Sequence, residues 1–180
     1  FSPGGRLPVT FYRSTKDLPP YVSYDMKGRT YRYFTGTPLY PFGHGLSYTT
    51  FAYDAPRLST PTLEAGEPLH VSVRVSNSGE RAGDEVVQAY LERVGSGSPE
   101  KTQSPIRSLV GFKRVTLKPG ESREVKFELD ARALSDVDRA GVRAVEAGDY
   151  RVFVGGGQPG TGAPGHEVMF SIQGRTPLPK

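Results

Sequence analysis

The clearest pattern along the chain is a strict alternation from Leu69 to Asn77. Leu69, Val71, Val73 and Val75 fall on one face, and His70, Ser72, Arg74 and Ser76 on the other. That is the period of a half-buried strand. Residues Glu85 to Glu92 repeat it with Val87, Ala89 and Leu91, but Val86 and Tyr90 place apolar groups on the opposite face as well. This strand is therefore expected to be covered on both sides. Ile106 to Leu117 predicts a strand bent near Gly111. Val125, Phe127 and Leu129 alternate with polar neighbours, as do Tyr150, Val152 and Val154, and then Val168, Phe170 and Ile172. Tyr48 to Tyr53 is rich in residues that favour pleated backbone. Asn77-Ser78-Gly79 and Lys118-Pro119-Gly120 supply turns, and Asp130 can cap a single helical turn over Ala131 to Ser135. Residues 95–105 and 155–165 read as loops, the second flexible, and the tail from Gly174 reads as frayed. About seven short alternating strands separated by Gly, Pro and Asn turns predict an all-β sandwich over roughly residues 47–173.

The first quarter of the chain is built differently. Leu7 to Tyr12 predicts a short strand, which Pro8 confines to a sheet edge, and Pro19-Pro20 forces an extended path. Then comes GRTYRYFTGTPLYPFGHGLSYTTF, residues Gly28 to Phe51. Its Tyr and Phe residues, with His44, are punctuated by Gly36, Pro38, Pro41, Gly43 and Gly45. That density of Gly and Pro leaves no helix or long strand. Rings this numerous are costly to leave in water, so the stretch is expected to be an extended strap lying against another surface. The predicted division is 1–46 for the lead and strap and 47–180 for the sandwich. Without a further partner, the lead and strap are expected to be mobile and open to proteases.

Composition narrows the chemistry. With no Cys there are no disulfides and no thiolate sites. The net charge of +4 is spread in alternation along the strands, which argues against a nucleic-acid partner. No apolar run is long enough to span a bilayer, so no membrane partner is expected. The turn-like start, Phe1-Ser2-Pro3-Gly4-Gly5, has no initiator Met and no signal peptide, and suggests a piece of a longer or processed chain. His44, His70 and His166 show no metal-ligand spacing, and Gly155-Gly156-Gly157 lacks the Lys and helix of a phosphate loop. No metal and no cofactor are expected.

Two constellations remain. Arg29, Tyr31, Arg32 and Tyr33 form a compact cluster of guanidinium forks and aromatic faces. It suits sugar recognition or a domain interface, and the interface reading is preferred. His44 lies between two glycines, either contacting a sugar near a seam or, the preferred reading, hydrogen-bonding a carbonyl within a tight turn.

GRTYRYF followed by PLYPFGHGLSYTTF resembles the junction in glycoside hydrolase family 3, especially its β-glucosidases and β-xylosidases. The opening GGRLPVTF and DLPPY resemble the end of the family's second, α/β domain. The likeness continues through NSGERAGDEVVQAYL, LVGFKRVTLKPGES, LDARALSDVD and AGDYRVFVG. It implies a fibronectin type III-like sandwich preceded by the end of an α/β domain. It also implies a retaining hydrolase of terminal β-linked glucose or xylose, whose nucleophilic Asp and acid/base Glu lie upstream of Phe1. The implied partners are the upstream barrel and α/β domains and a β-linked oligosaccharide or aryl glycoside. The sequence does not fix the compartment; periplasmic or secreted is slightly favoured over cytoplasmic. The residues themselves agree on one point. Glycoside hydrolysis needs two facing carboxyls, and the pairs Asp84-Glu85, Asp136/Asp138 and Glu64/Glu67 sit at turns or strand edges, where acids are ordinarily solvated. No catalytic residue is assigned to this chain. The rival reading is a non-catalytic sandwich that binds a carbohydrate or a protein.

Overall fold

The computed structural model of the protein describes residues 2–95, 104–138 and 140–179. After a 3₁₀ turn at Thr15–Asp17 and a single helical turn, α1, at Thr30–Tyr33, the described chain is strand and loop. The strands are β1 (Phe51–Tyr53), β2 (Arg57–Leu58), β3 (Thr62–Glu64), β4 (Leu69–Asn77), β5 (Gly83–Arg93), β6 (Ser108–Leu117), β7 (Ser122–Leu129), β8 (Asp136–Val137), β9 (Arg143–Val145), β10 (Gly148–Gly155), β11 (Gly165–Gln173) and β12 (Thr176–Pro177). One sheet is centred on β4, with β1 and β2 on one edge and β7 on the other. The second runs β3-β11-β10-β5-β6, antiparallel except for the β3–β11 pair. A small third sheet, β12-β9-β8, holds the tail.

The alternation of β4 survives intact: Leu69, Val71, Val73 and Val75 are buried, whereas His70 and Arg74 are exposed. They meet Val87, Ala89, Leu91, Val152, Val154, Phe170 and Ile172 from the facing sheet in one continuous core. Each such side chain contributes about 1.5–3 kcal/mol on burial, which is why parity fixes the register. The bend foreseen at Gly111 is a bulge. Ala89 pairs with Gly111 and Tyr90 with Leu109, so Val110 is skipped. Gly111 also lies against the Phe127 ring, where a Cβ would come within 2.8 Å of Cδ1. The Lys118-Pro119-Gly120 turn closes with the Glu121 amide donating to the Lys118 carbonyl at 2.9 Å, and Gly120 takes a φ of 72°. Asp130 accepts from the Ala133 amide at 2.8 Å and starts a turn rather than a helix.

Four expectations are corrected. Leu7 to Tyr12 does not form a strand; it makes a single antiparallel bridge, Phe11 to Tyr40. The strap does contain a helical turn, α1, because the Thr30–Tyr33 run carries no Gly or Pro. The loop at 155–165 is packed, with Gly155, Gly157 and Gln158 buried. Its glycines let backbone approach backbone: a Cβ on Gly155 would stand 2.4 Å from the Pro164 carbonyl. The tail is stitched down by the Thr176 hydroxyl donating to the Ala65 carbonyl at 2.6 Å and by the Leu178 amide donating to the Arg143 carbonyl at 2.8 Å. Of the loop foreseen at 95–105, residues 96–103 lie outside the described residues.

Candidate functional site

The chemistry of the molecule is concentrated where the N-terminal segment meets β5. Glu85 shares the inward parity of Val87 and Ala89, so the pleat carries a carboxylate into the protein. It is 3% exposed. Arg6 reaches it from the N-terminal segment and donates through a terminal guanidinium nitrogen to Oε2 at 2.8 Å. The Tyr53 hydroxyl donates to Oε1 at 2.8 Å. Burial pushes the Glu85 carboxyl up from its ordinary range, and Arg6 and the Tyr53 hydrogen bond partly offset this. Burial, reinforced by the neighbouring carboxylate, holds the Tyr53 phenol far above its usual value. Glu85 is thus fully occupied in joining segment to sandwich.

On the other face of β5, Gln88 and Tyr90 form a second knot. The Tyr90 hydroxyl donates to Gln88 Oε1 at 2.6 Å. The Gln88 amide nitrogen donates to the carbonyls of Gly43 and Gly156, each at 3.2 Å. Arg6 Nε donates to the same Gly156 carbonyl at 3.2 Å. Strap, hairpin loop and β5 therefore converge on a few polar atoms. Gly43 is required there: its φ is 75°, and a Cβ would lie 2.2 Å from Gln88 Oε1. Above Tyr90 the strap stacks Tyr31 on Phe42, with centroids 4.2 Å apart, and Tyr31 meets the Tyr90 ring edge-on at 6.0 Å. Burial also holds the Tyr90 phenol well above its usual value.

The five residues singled out from sequence take different places. The Tyr31 hydroxyl accepts from the Leu109 amide at 3.0 Å, which ties the strap to β6. The Arg29 guanidinium donates to the carbonyls of Pro20, Ser23 and Asp25 and organises the lead of its own segment. Arg32 lies 5.9 Å over the Tyr33 ring, and its carbonyl accepts from the Ile106 amide at 2.7 Å. The His44 ring is tilted against Tyr40, while its backbone bonds to Leu7 and Pro41. Arg6, Tyr53, Glu85 and Gln88, which hold this seam, are not singled out by the sequence. The signal for Glu85 is its place in the buried parity of β5, which outweighs the solvation expected of an acid beside a turn.

Asp84 and Asp138, two of the acids weighed in catalytic pairs, have structural partners. Asp84 accepts from Arg114 and Thr116, and hydrogen bonds from Thr116 and then Arg114 hold its carboxyl below the ordinary range. Asp138 caps the amides of Ala140 and Val142, each at 2.9 Å. Among the described residues no three His, Asp or Glu side chains gather as a metal site, and no helix is long and apolar enough to cross a membrane.

Comparison with known proteins assigns both parts of this seam. Residues 1–48 match the glycosyl hydrolase family 3 C-terminal domain, and residues 85–158 match the fibronectin type III-like domain. The chain is 39% identical over 167 residues to a periplasmic beta-glucosidase of Salmonella typhimurium, covering 86% of this chain and 21% of the relative. It is 36% identical over 156 residues to a xylan 1,4-beta-xylosidase of Xylanibacter ruminicola, covering 86% and 17%. Beta-glucosidase 3B of Thermotoga neapolitana superposes with a TM-score of 0.84 at 33% identity, covering 98% of this chain and 26% of that one. The chain thus spans about a fifth of the length of the curated relatives it matches. By these matches the chain joins sequence of the glycosyl hydrolase family 3 C-terminal domain to a fibronectin type III-like domain, and its relatives are beta-glucosidases and beta-xylosidases.

Proposed function

We propose that this chain is the non-catalytic scaffold part of a retaining β-glycosidase that releases terminal β-linked glucose or xylose. The reacting Asp and Glu then belong to the larger part of the relatives' length that the chain does not span, and the partners of the chain are the barrel and α/β domains of the same enzyme. In this reading residues 1–46 complete the α/β domain, and residues 47–180 form the sandwich that supports it. The observation that carries the reading is the bare surface of the N-terminal segment. Tyr21, Val22 and Tyr24 are 99%, 84% and 96% exposed, with Leu18 and Met26 beside them. Clustered apolar groups of this kind mark a contact surface. Among the described residues the one acid buried at the seam, Glu85, is held by Arg6 and Tyr53 and is unavailable for chemistry. A periplasmic location follows the named compartment of the Salmonella typhimurium relative. The test is nitrophenol release from aryl β-glucoside and β-xyloside by the purified chain; turnover that survives removal of host glycosidases would sink the reading. The rival reading, a carbohydrate-binding module, is favoured by one observation only, an aromatic-edged groove beside the strap.

A further inference from the structure

A groove of about 680 Å³ runs between strap residues 34–41 and 44, residues 106–107 and hairpin residues 158–161. Arg13 and Arg107 line it, and no Asp or Glu does. Among the described residues neither guanidinium forms an ion pair, and Arg107 Nε is buried with no hydrogen-bond partner. Glu92 and Glu167, which share the adjoining cavity with Arg107, lie 4.0 and 3.5 Å from Arg151 instead. A guanidinium left without a carboxylate beside a groove free of acids is suited to an anion, above all a planar carboxylate that matches its fork.

Two further features narrow the ligand. Gln158 lines the same groove at 6% exposure, and its Oε1 is buried without a partner. Its backbone carbonyl accepts from the Thr161 hydroxyl at 2.6 Å, which sets the loop that carries it. A primary amide accepts and donates, as a vicinal diol requires. Tyr40, 47% exposed, is tilted at 34° against His44 with centroids 5.4 Å apart, so an aromatic surface borders the groove. Such a surface packs well against the C–H face of a pyranose.

We infer that this groove binds a carboxylated saccharide of the uronate type. Arg107 and Arg13 take its carboxylate, the Gln158 amide its ring hydroxyls, and Tyr40 its apolar face. The inference rests on the groove alone and stands or falls separately from the scaffold reading, which concerns turnover.

The test is calorimetric titration of the chain with a xylo-oligosaccharide bearing one glucuronic acid, a neutral xylo-oligosaccharide of equal length, and sodium sulfate. The acidic sugar is expected to bind saturably and at least about tenfold more tightly than the neutral one, the scale of one charge-assisted contact. Its affinity should fall as salt rises. Arg107→Gln and Tyr40→Ala should each weaken it about fivefold or more at an unchanged melting temperature, with Arg13→Gln as the exposed substitute if either variant melts early. Equal binding of the neutral sugar overturns the inference, as does absence of saturable binding. Sulfate binding as tightly as the acidic sugar would reduce the groove to an anion site and overturn it equally.

Discussion

Replacing Arg6 by Ala removes the cation from a pair whose side chains are only 12% and 4% exposed. The Glu85 carboxylate is then left among apolar neighbours with the Tyr53 hydroxyl as its remaining side-chain donor. Breaking one partner of a buried pair costs about 3–5 kcal/mol, against about 0–1 kcal/mol for an exposed pair. In a chain of this size that is a fall of about 6–20 °C in melting temperature. Tyr53→Phe removes the other donor and should cost about 1–3 kcal/mol. The double replacement Arg6→Met with Glu85→Leu removes both charges and should be milder than Arg6→Ala alone, because no uncompensated charge remains. Chemical denaturation of the single and double variants measures this coupling directly. If Arg6→Ala costs under about 1 kcal/mol, or the double variant equals the sum of its singles, the pair behaves as a surface contact and the seam is not held as argued.

Val73→Asp and Phe127→Asp each place a charge in the core and should abolish cooperative melting, whereas Arg74→Asp, on the exposed face opposite Glu124, should cost about 0.2–1 kcal/mol by thermal melt. Gly43→Ala should cost about 1–3 kcal/mol and loosen the strap, seen as new tryptic cleavage after Arg32; Gly120→Ala, where a Cβ meets nothing, should cost only its backbone strain. The Asp84 carboxyl is depressed in the folded state, so its contribution is present above the ordinary carboxylate range and is lost as pH falls through that range toward the depressed value. Asp84→Asn should therefore melt below the parent at about pH 6 and approach it at about pH 3.

The long strands were legible because burial on one face imposes a period of two, and β4, β5, β7, β10 and β11 carry enough apolar residues to display it. The two- and three-residue strands β2, β3, β8, β9 and β12 were not, since a run that short cannot show a period. The seam was half legible. The ring count of the strap announced that it must dock, and Tyr31 and Phe42 do so on Tyr90. Its target was not readable, because Arg6 and Glu85 lie 79 positions apart and a single sequence holds no sign of such a pairing. The same blind spot hides the atoms that seat the strap on the sandwich. The polar atoms that fix it are backbone carbonyls of Gly43 and Gly156, which carry no identity in the sequence.

The central structural claim is that the family 3 C-terminal segment and the sandwich form one docked unit with a bare apolar loop. Native-state hydrogen exchange tests it at individual amides. The Leu7, Phe11, Gly43 and Leu109 amides, bonded to His44, Tyr40, Leu7 and Tyr31, should be protected. Amides of the exposed residues Tyr21, Val22 and Tyr24 should exchange far faster. Exchange at Leu7 and Gly43 as fast as at Tyr21 would show a strap that floats free of the sandwich, and would contradict the account.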